Sequence, residues 1–164
     1  MEKKLAILDI LKDDAMIPHG TIARMLGLTE EEVAAAIDEM EKDGIIMKYS
    51  ALINSEVLGE EHCNAEAMIE LTVSPVREFG YDDIARRVYK FPEVKAVYLM
   101  SGRYDLAVRV ECKTMKEISK FVWEKLAVLD GVTGTQTLFI MRKYKEHGMT
   151  LLEEEKDTRL VVTA

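Results

Sequence analysis

The chain is poor in the residues that build disulfide frameworks and metal centres. Its two cysteines, Cys63 and Cys112, stand far apart with no CxxC spacing, so free thiols in a reducing cytosol are expected rather than a bridge. The three histidines, His19, His62 and His147, fall in separate predicted loops or element ends. Only His62 has a sulfur neighbour, Cys63, and adjacency suits a chelate poorly, so no metal and no cofactor are expected. No apolar run approaches the length that crosses a bilayer, and Met1-Glu2-Lys3-Lys4 leads straight into a mixed apolar and acidic stretch, not a signal peptide. A cytoplasmic protein without a membrane partner is the expectation. Ser/His/Asp, Cys/His and glycine-rich phosphate patterns are also missing, which leaves no motif for an enzyme. Positive charge is in deficit, 22 basic against 30 acidic residues, net −8. That balance opposes non-specific attraction to nucleic acid.

What is present is enough for a core: 48% of 164 residues are hydrophobic, the size of one or two small domains. Residues 2–13 carry Leu5, Leu8 and Leu11 with Ile7 and Ile10 beside them, a helix with a wide apolar face. Pro18 opens a second helix that runs through Ile22 and Met25 to about Leu26, where Gly27 breaks it. Thr29-Glu30-Glu31-Glu32 is a capping box, with three acids in the first helical turn to complement the helix dipole. The third helix follows with Val33, Ile37 and Met40, and Asp43-Gly44 stops it. Ile45–Tyr49 reads as a short strand, a wing or a linker. Three short helices with Gly27-Leu28-Thr29 between the last two have the length of a helix-turn-helix, although a plain three-helix bundle uses the same periods.

Residues 50–63 read as a connector, broken by Asn54, Ser55, Gly59, Glu60 and Glu61. Strict alternation follows: Ala65, Ala67, Ile69, Leu71 and Val73 on one face, Glu66, Glu70 and Thr72 on the other, ended by Pro75. Tyr81, Ile84, Val88 and Phe91 mark a helix that Pro92 stops. Ser101-Gly102-Arg103-Tyr104-Asp105-Leu106 then joins the apolar runs Val94–Met100 and Leu106–Cys112 as a tight hairpin, glycine supplying the turn. Met115, Ile118, Val122, Leu126 and Leu129 mark another helix, Asp130-Gly131 ends it, and Val132–Tyr144 forms a last strand. Strand, helix, strand, strand, helix, strand is the ferredoxin-like order, an antiparallel sheet with both helices on one face. Met68, Val97, Leu99, Leu138 and Ile140 are assigned to the open face, where an apolar surface suggests two sheets packed together in a dimer. Glu153–Asp157 reads as a solvated tail, with Leu160-Val161-Val162 an optional edge strand. The expected architecture is α+β: a helix-turn-helix domain at 1–50, a linker at 51–63, a ferredoxin-like (βαββαβ) domain at 64–147 and a tail at 148–164.

Five stretches in this order resemble the Lrp/AsnC family of leucine-responsive, or feast/famine, regulators. They are Ile22–Thr29, Asp43-Gly44-Ile45-Ile46, Phe91-Pro92-Glu93-Val94, Gly102-Arg103-Tyr104-Asp105-Leu106, and Gly131-Val132 with Thr135 and Thr137. The resemblance spans about residues 3–147. It implies a sequence-specific transcription regulator bound to double-stranded DNA. It also implies a carboxy-terminal RAM domain that dimerises through its sheets and builds tetramers or octamers, and a free amino acid bound at a subunit interface near the hairpin. Met100, Gly102, Tyr104, Asp105, Thr135 and Thr137 are then the candidate effector residues. A carboxylate such as Asp105 beside backbone amides suits an α-amino group and an α-carboxylate, though it also suits a turn-stabilising acid. On the DNA side the candidates are Thr29, with Arg24, Lys42 and Lys48 for phosphates and Ala34, Ala35 and Asp38 for base edges.

The chain departs from the family in one respect. Thr29–Asp43 holds one base, Lys42, against seven acids, and Ala36 stands where a base is common. Residues 1–58 carry six bases and twelve acids, net −6; residues 59–164 carry sixteen and eighteen, net −2. A sensor or assembly partner that has lost DNA binding is therefore an alternative. An enzyme like the siroheme decarboxylases, which share the two-domain architecture, is another.

Overall fold

The first unit is built from α1 (Glu2–Asp13), α2 (His19–Leu26) and α3 (Glu30–Lys42). The computed structural model describes residues 2–59, 63–74 and 80–152, and the chain divides between Leu52 and Ile53 into two compact units. Val33, Ile37 and Met40, spaced four and three apart on α3, meet Ile7 of α1 and Ile22 and Ala23 of α2 in one core. Leu8, Ile10 and Leu11 flank it, but Leu5 and Met25 are exposed. Leu5 lies two residues before Ile7, more than half a turn round the helix, so it cannot share the buried stripe. Gly27 takes the left-handed conformation (φ 65°) that ends α2, and the Leu28 amide closes the turn on the Ala23 carbonyl at 2.9 Å.

Ile45–Tyr49 is not a strand. Gly44 (φ 69°) turns the chain back, and the amides of Ile45 and Ile46 both donate to the Met40 carbonyl, at 2.8 and 3.0 Å. Those amides are spent on capping α3, and Ile46 tucks against the core. The Tyr49 hydroxyl reaches back to Glu41 at 2.9 Å.

In the second unit the connector contains a single helical turn, α4 (Ser55–Leu58), whose Ser55 carbonyl, with that of Gly59, accepts from the Cys63 thiol. Both cysteines are free. The order β1 (Ala65–Val73), α5 (Tyr81–Val88), β2 (Val94–Leu99), β3 (Leu106–Cys112), α6 (Met115–Phe121), β4 (Val132–Ile140) gives an antiparallel sheet in the order β2-β3-β1-β4, the ferredoxin-like arrangement. Ala67, Ile69, Leu71 and Val73 of β1 and Leu106, Val108 and Val110 of β3 form the helix-side face, packed on Ile84, Val88, Ile118, Phe121, Val122 and Leu126. α5 stops at Val88, three residues before Phe91, which packs edge-on against Phe121 with ring centroids 5.5 Å apart. After α6 the chain widens into a π-helical turn, Val122–Leu126, which keeps Val122 and Leu126 on the core.

The open face differs from the expected one on β2. An irregularity between Val94 and Ala96 inserts a residue, so Val94 pairs with Val110 and Val97 with Val108. Val97 therefore faces the helices, and Leu99 shares the row of Leu106. The outward residues of β2 are Ala96 and Tyr98. A bulge reverses the parity of everything beyond it, and alternation cannot announce it. Met68, Leu138 and Ile140 do lie outward.

The last strand ends at Ile140 rather than Tyr144. The chain then forms a hairpin, β5 (Lys145–Glu146) and β6 (Met149–Thr150), across positions read as the end of the domain and the start of the tail. Its turn is His147-Gly148 with φ 47° and 83°, both left-handed, as a two-residue hairpin turn requires. Lys143 pairs with Glu66 and Glu146, and Arg109 with Glu146 at 3.1 Å, tying the hairpin to β1 and β3. Leu151 is buried, and its amide donates to the Tyr144 carbonyl at 3.0 Å. Pro75, Glu60, Glu61, His62, the Glu153–Asp157 run and Leu160–Val162 lie outside the described residues.

The charged network gives the hairpin a pH window. Burial pushes the Glu146 carboxyl up, but the Lys143 hydrogen bond and the charges of Lys143, Arg109 and His147 outweigh it and hold the group below its ordinary 4.5. Burial likewise pushes Lys143 down, and its bonds to Glu66 and Glu146 carry it above 10.5. A lowered carboxyl stabilises the fold above its unfolded value, and that contribution is lost as pH falls through the folded value; the raised lysine contributes below 10.5 and is lost as pH rises through its folded value. Acid is therefore expected to release the hairpin before the sheet. In hydrogen exchange, protection of the Leu151 amide should fall below pH 4.5 while that of β1 persists. Simultaneous loss of both would show that the network does not hold the hairpin.

Candidate DNA-binding helix and effector site

The capping box sets where α3 begins. The Thr29 hydroxyl accepts from the Glu32 amide at 3.2 Å, and the Glu32 carboxylate accepts from the Thr29 amide at 2.9 Å. Thr29 is thus engaged in the cap. Along α3, Glu31, Ala35, Asp38 and Lys42 are all exposed at spacings of four, three and four, a single outward stripe; Ala34 beside it is half-buried. Arg24 is exposed on α2 and donates to the Thr21 hydroxyl at 3.2 Å. Lys48 is exposed in the irregular stretch beyond the helix.

The seven acids of Thr29–Asp43 do not all face outward unpaired. Lys3 lies 3.5 Å from Glu32 and Lys4 2.6 Å from Glu39, both reaching over from α1, and Glu41 accepts from Tyr49. The Thr29 amide and the Lys3 charge hold Glu32 below the ordinary carboxylate range, and Lys4 does the same to Glu39. The stripe itself carries Glu31 and Asp38 against Lys42, one net negative charge. A count along the sequence misses this, because Lys3 and Lys4 are more than twenty-five residues away from their partners.

The candidate effector residues sit at one end of the sheet. Between Leu99 and Leu106 the join is a longer loop than a tight hairpin, closed by the Met100 amide on the Asp105 carbonyl at 2.8 Å. Gly102 is outside the left-handed region, so it does not supply the turn; apart from its chain neighbours, no atom lies within 4 Å of where a Cβ would stand. Asp105 ties the loop to β1: its carboxylate accepts from the Val73 amide at 2.7 Å and its own amide donates to the Leu71 carbonyl at 3.0 Å. Tyr104 is half-buried. Leu106, Leu71 and Thr135 form one row across β3, β1 and β4, which brings Thr135 to the same end; Thr137, opposite Ile69, is two rows further in, on the same face. Both threonines lie on the helix-side face.

Sequence reasoning missed the pair beside this loop. Glu70, read as an ordinary outward acid, is 9% exposed, and Arg103 of the loop donates to it at 3.2 Å. Alternation gives Glu70 its face but says nothing of its burial. Elsewhere, Arg86 meets Asp83 and Arg87 meets Asp130 as surface ion pairs, His19 stands on α2 and His147 in the hairpin turn. No helix among the described residues is long and apolar enough to cross a membrane.

A cap-fixed helix-turn-helix followed by a ferredoxin-like unit is the architecture of a two-domain regulator, a DNA-binding module joined to a ligand-binding one. Residues 2–47 match the winged helix-turn-helix DNA-binding family, and residues 66–150 match the Lrp/AsnC ligand binding domain. The chain belongs to the Lrp/AsnC family. It is 41% identical over 162 residues to the HTH-type transcriptional regulator YugG of Bacillus subtilis, covering 99% of this chain and 97% of that one. To the HTH-type transcriptional regulator FL11 of Pyrococcus furiosus it is 31% identical over 140 residues, 85% of this chain and 88% of that one. Among solved structures, the regulator NMB0573 of Neisseria meningitidis in complex with L-Met has the same fold, with a TM-score of 0.69 at 22% identity over 89% of this chain and 92% of the other.

Proposed function

We propose that the chain regulates transcription as a homo-oligomer, from dimer to octamer. In this reading α3 enters the major groove of a specific DNA site, and a free amino acid bound at the Met100–Asp105 loop tunes the assembly. The observation that carries the DNA reading is the outward stripe Glu31, Ala35, Asp38, Lys42 on a helix whose start is set by a complete capping box. Small side chains let the helix backbone approach base edges, and Asp38 can accept from cytosine N4. Arg24, Lys42 and Lys48 supply phosphate contacts. So few cations per copy make affinity depend on several copies acting together, and its fall with salt follows the phosphate contacts summed over those copies. The effector reading draws on the loop anchored by Asp105 and on the ligand-binding domain match, and the L-Met complex of the neighbour makes an amino acid the class to test.

Selection from random duplexes at low salt, with the full-length protein and its mass followed by light scattering, is expected to enrich one sequence bound by an even-numbered oligomer. If no sequence is enriched there, DNA binding fails and the net charge of −6 over residues 1–58 favours the amino-acid sensor without DNA.

A further inference from the structure

We propose that Glu70 and Arg103 form an exchangeable ion pair that recognises the effector as a zwitterion. The ligand ammonium replaces the Arg103 guanidinium on Glu70, and the released Arg103 takes the ligand carboxylate. The proposal rests on the reading that a free amino acid binds at the Met100–Asp105 loop.

Glu70 lies mid-strand on the open face of β1, in a row with Tyr98, Ala107 and Gln136. Its side chain is 10% exposed, and a carboxylate that deep is costly unless a cation stays with it. Yet among the described residues the cation it meets is held by a single contact, Nη2 to Oε2 at 3.2 Å, and the Arg103 side chain is 76% exposed. A guanidinium forms its strongest carboxylate pairs through two parallel bonds, and this one uses one. The contrast lies on the same face. Glu146, its side chain 20% exposed, is gripped by both Lys143 and Arg109, whose side chains are 24% and 34% exposed. That network has the geometry of a clamp. Glu70–Arg103 joins a deep acid to a loose base on a loop.

Charge bookkeeping favours a zwitterion. One ion pair is present before exchange and two after, with no net charge gained. A simple amine would free Arg103 and leave it unpaired; a simple carboxylate would draw Arg103 away and strand Glu70. Only a ligand bearing both groups satisfies both ends. The exposure of the Arg103 side chain leaves it room for the swing. Asp105, with its carboxylate already on the Val73 amide, then positions the loop.

The test is calorimetric titration of the full-length protein with the common L-amino acids, then with the methyl ester and the N-acetyl derivative of whichever binds. In the wild type each derivative should bind about tenfold more weakly or worse, the loss of one charge-assisted bond. In Arg103→Gln the free acid should weaken to the level of the ester, so that the ester penalty vanishes. In Glu70→Gln the N-acetyl penalty should vanish in the same way. If both penalties persist in variants that melt like the wild type, the exchange is overturned while the effector reading stands. Should Glu70→Gln fail to fold, the ester comparison in Arg103→Gln, at an exposed position, decides alone. If the wild type binds no amino acid, the effector reading itself falls and takes the exchange with it.

Discussion

Replacing Ile37 by alanine is expected to unfold the helix-turn-helix unit and abolish DNA binding while the ferredoxin-like unit stays folded. Ile37 is 5% exposed and packs with Ile7, Ile22, Val33 and Met40 at the crossing of all three helices. Truncating a buried isoleucine costs about 2–5 kcal/mol, partly from lost burial and partly from the cavity left behind. A unit of about fifty residues buries little surface and holds on the order of 3–8 kcal/mol in total, so one deletion removes most of it. Hydrogen exchange read by mass spectrometry should show protection lost throughout α1–α3 and retained in β1–β4. Loss of protection in both units together would mean that they fold as one, contrary to this expectation. Val33 and Met40, fully buried on the same stripe, should behave alike.

Gly131→Val is expected to destabilise the second unit by roughly 2–6 kcal/mol, from two separable causes. Gly131 has φ 92°, where a β-branched residue is strained. A Cβ there would also stand 2.7 Å from Cδ1 of Ile84, a fully buried core residue of α5, and 3.5 Å from the Ser74 carbonyl oxygen. The position cannot drift away, because its own carbonyl accepts from the Ser74 amide at 2.8 Å and the next residue, Val132, starts β4. Urea unfolding of Gly131→Ala, alone and with Ile84→Val, separates the causes: removing Cδ1 relieves the clash and leaves the backbone strain. Gly134→Ala is the control, since its Cβ would meet Thr72 at an ordinary 3.6 Å. If Gly131→Ala is no more costly than Gly134→Ala, neither cause operates.

Helix α3 carries most of the first unit's acidic residues. Three of its acids are engaged within the unit: Glu32 by its cap and Lys3, Glu39 by Lys4, and Glu41 by Tyr49. The Lys3–Glu32 pair is exposed, so it contributes little to stability. The consequence of these contacts is local, since they draw negative charge toward α1 and the chain after α3 and away from the outward stripe.

The sequence by itself determined what depends on neighbours within a turn or two. Thr29 and Glu32 make their cap because three residues of helix bring hydroxyl, carboxylate and amides together wherever the helix lies. Val33, Ile37 and Met40 share a face by helical spacing, and β1 alternates because a strand must. The order of elements then left the ferredoxin-like sheet as the arrangement that covers those faces. Only the tertiary structure decided the parity of Val97, the burial of Glu70, the hairpin at 145–150, and the pairing of Lys3 and Lys4 with acids of α3. Each depends on residues brought together across the sheet, or on a backbone choice at a bulge or a two-residue turn. A periodic pattern records which face a side chain takes. It carries no information about what the fold later lays over that face, and burial and charge pairing are set by that covering.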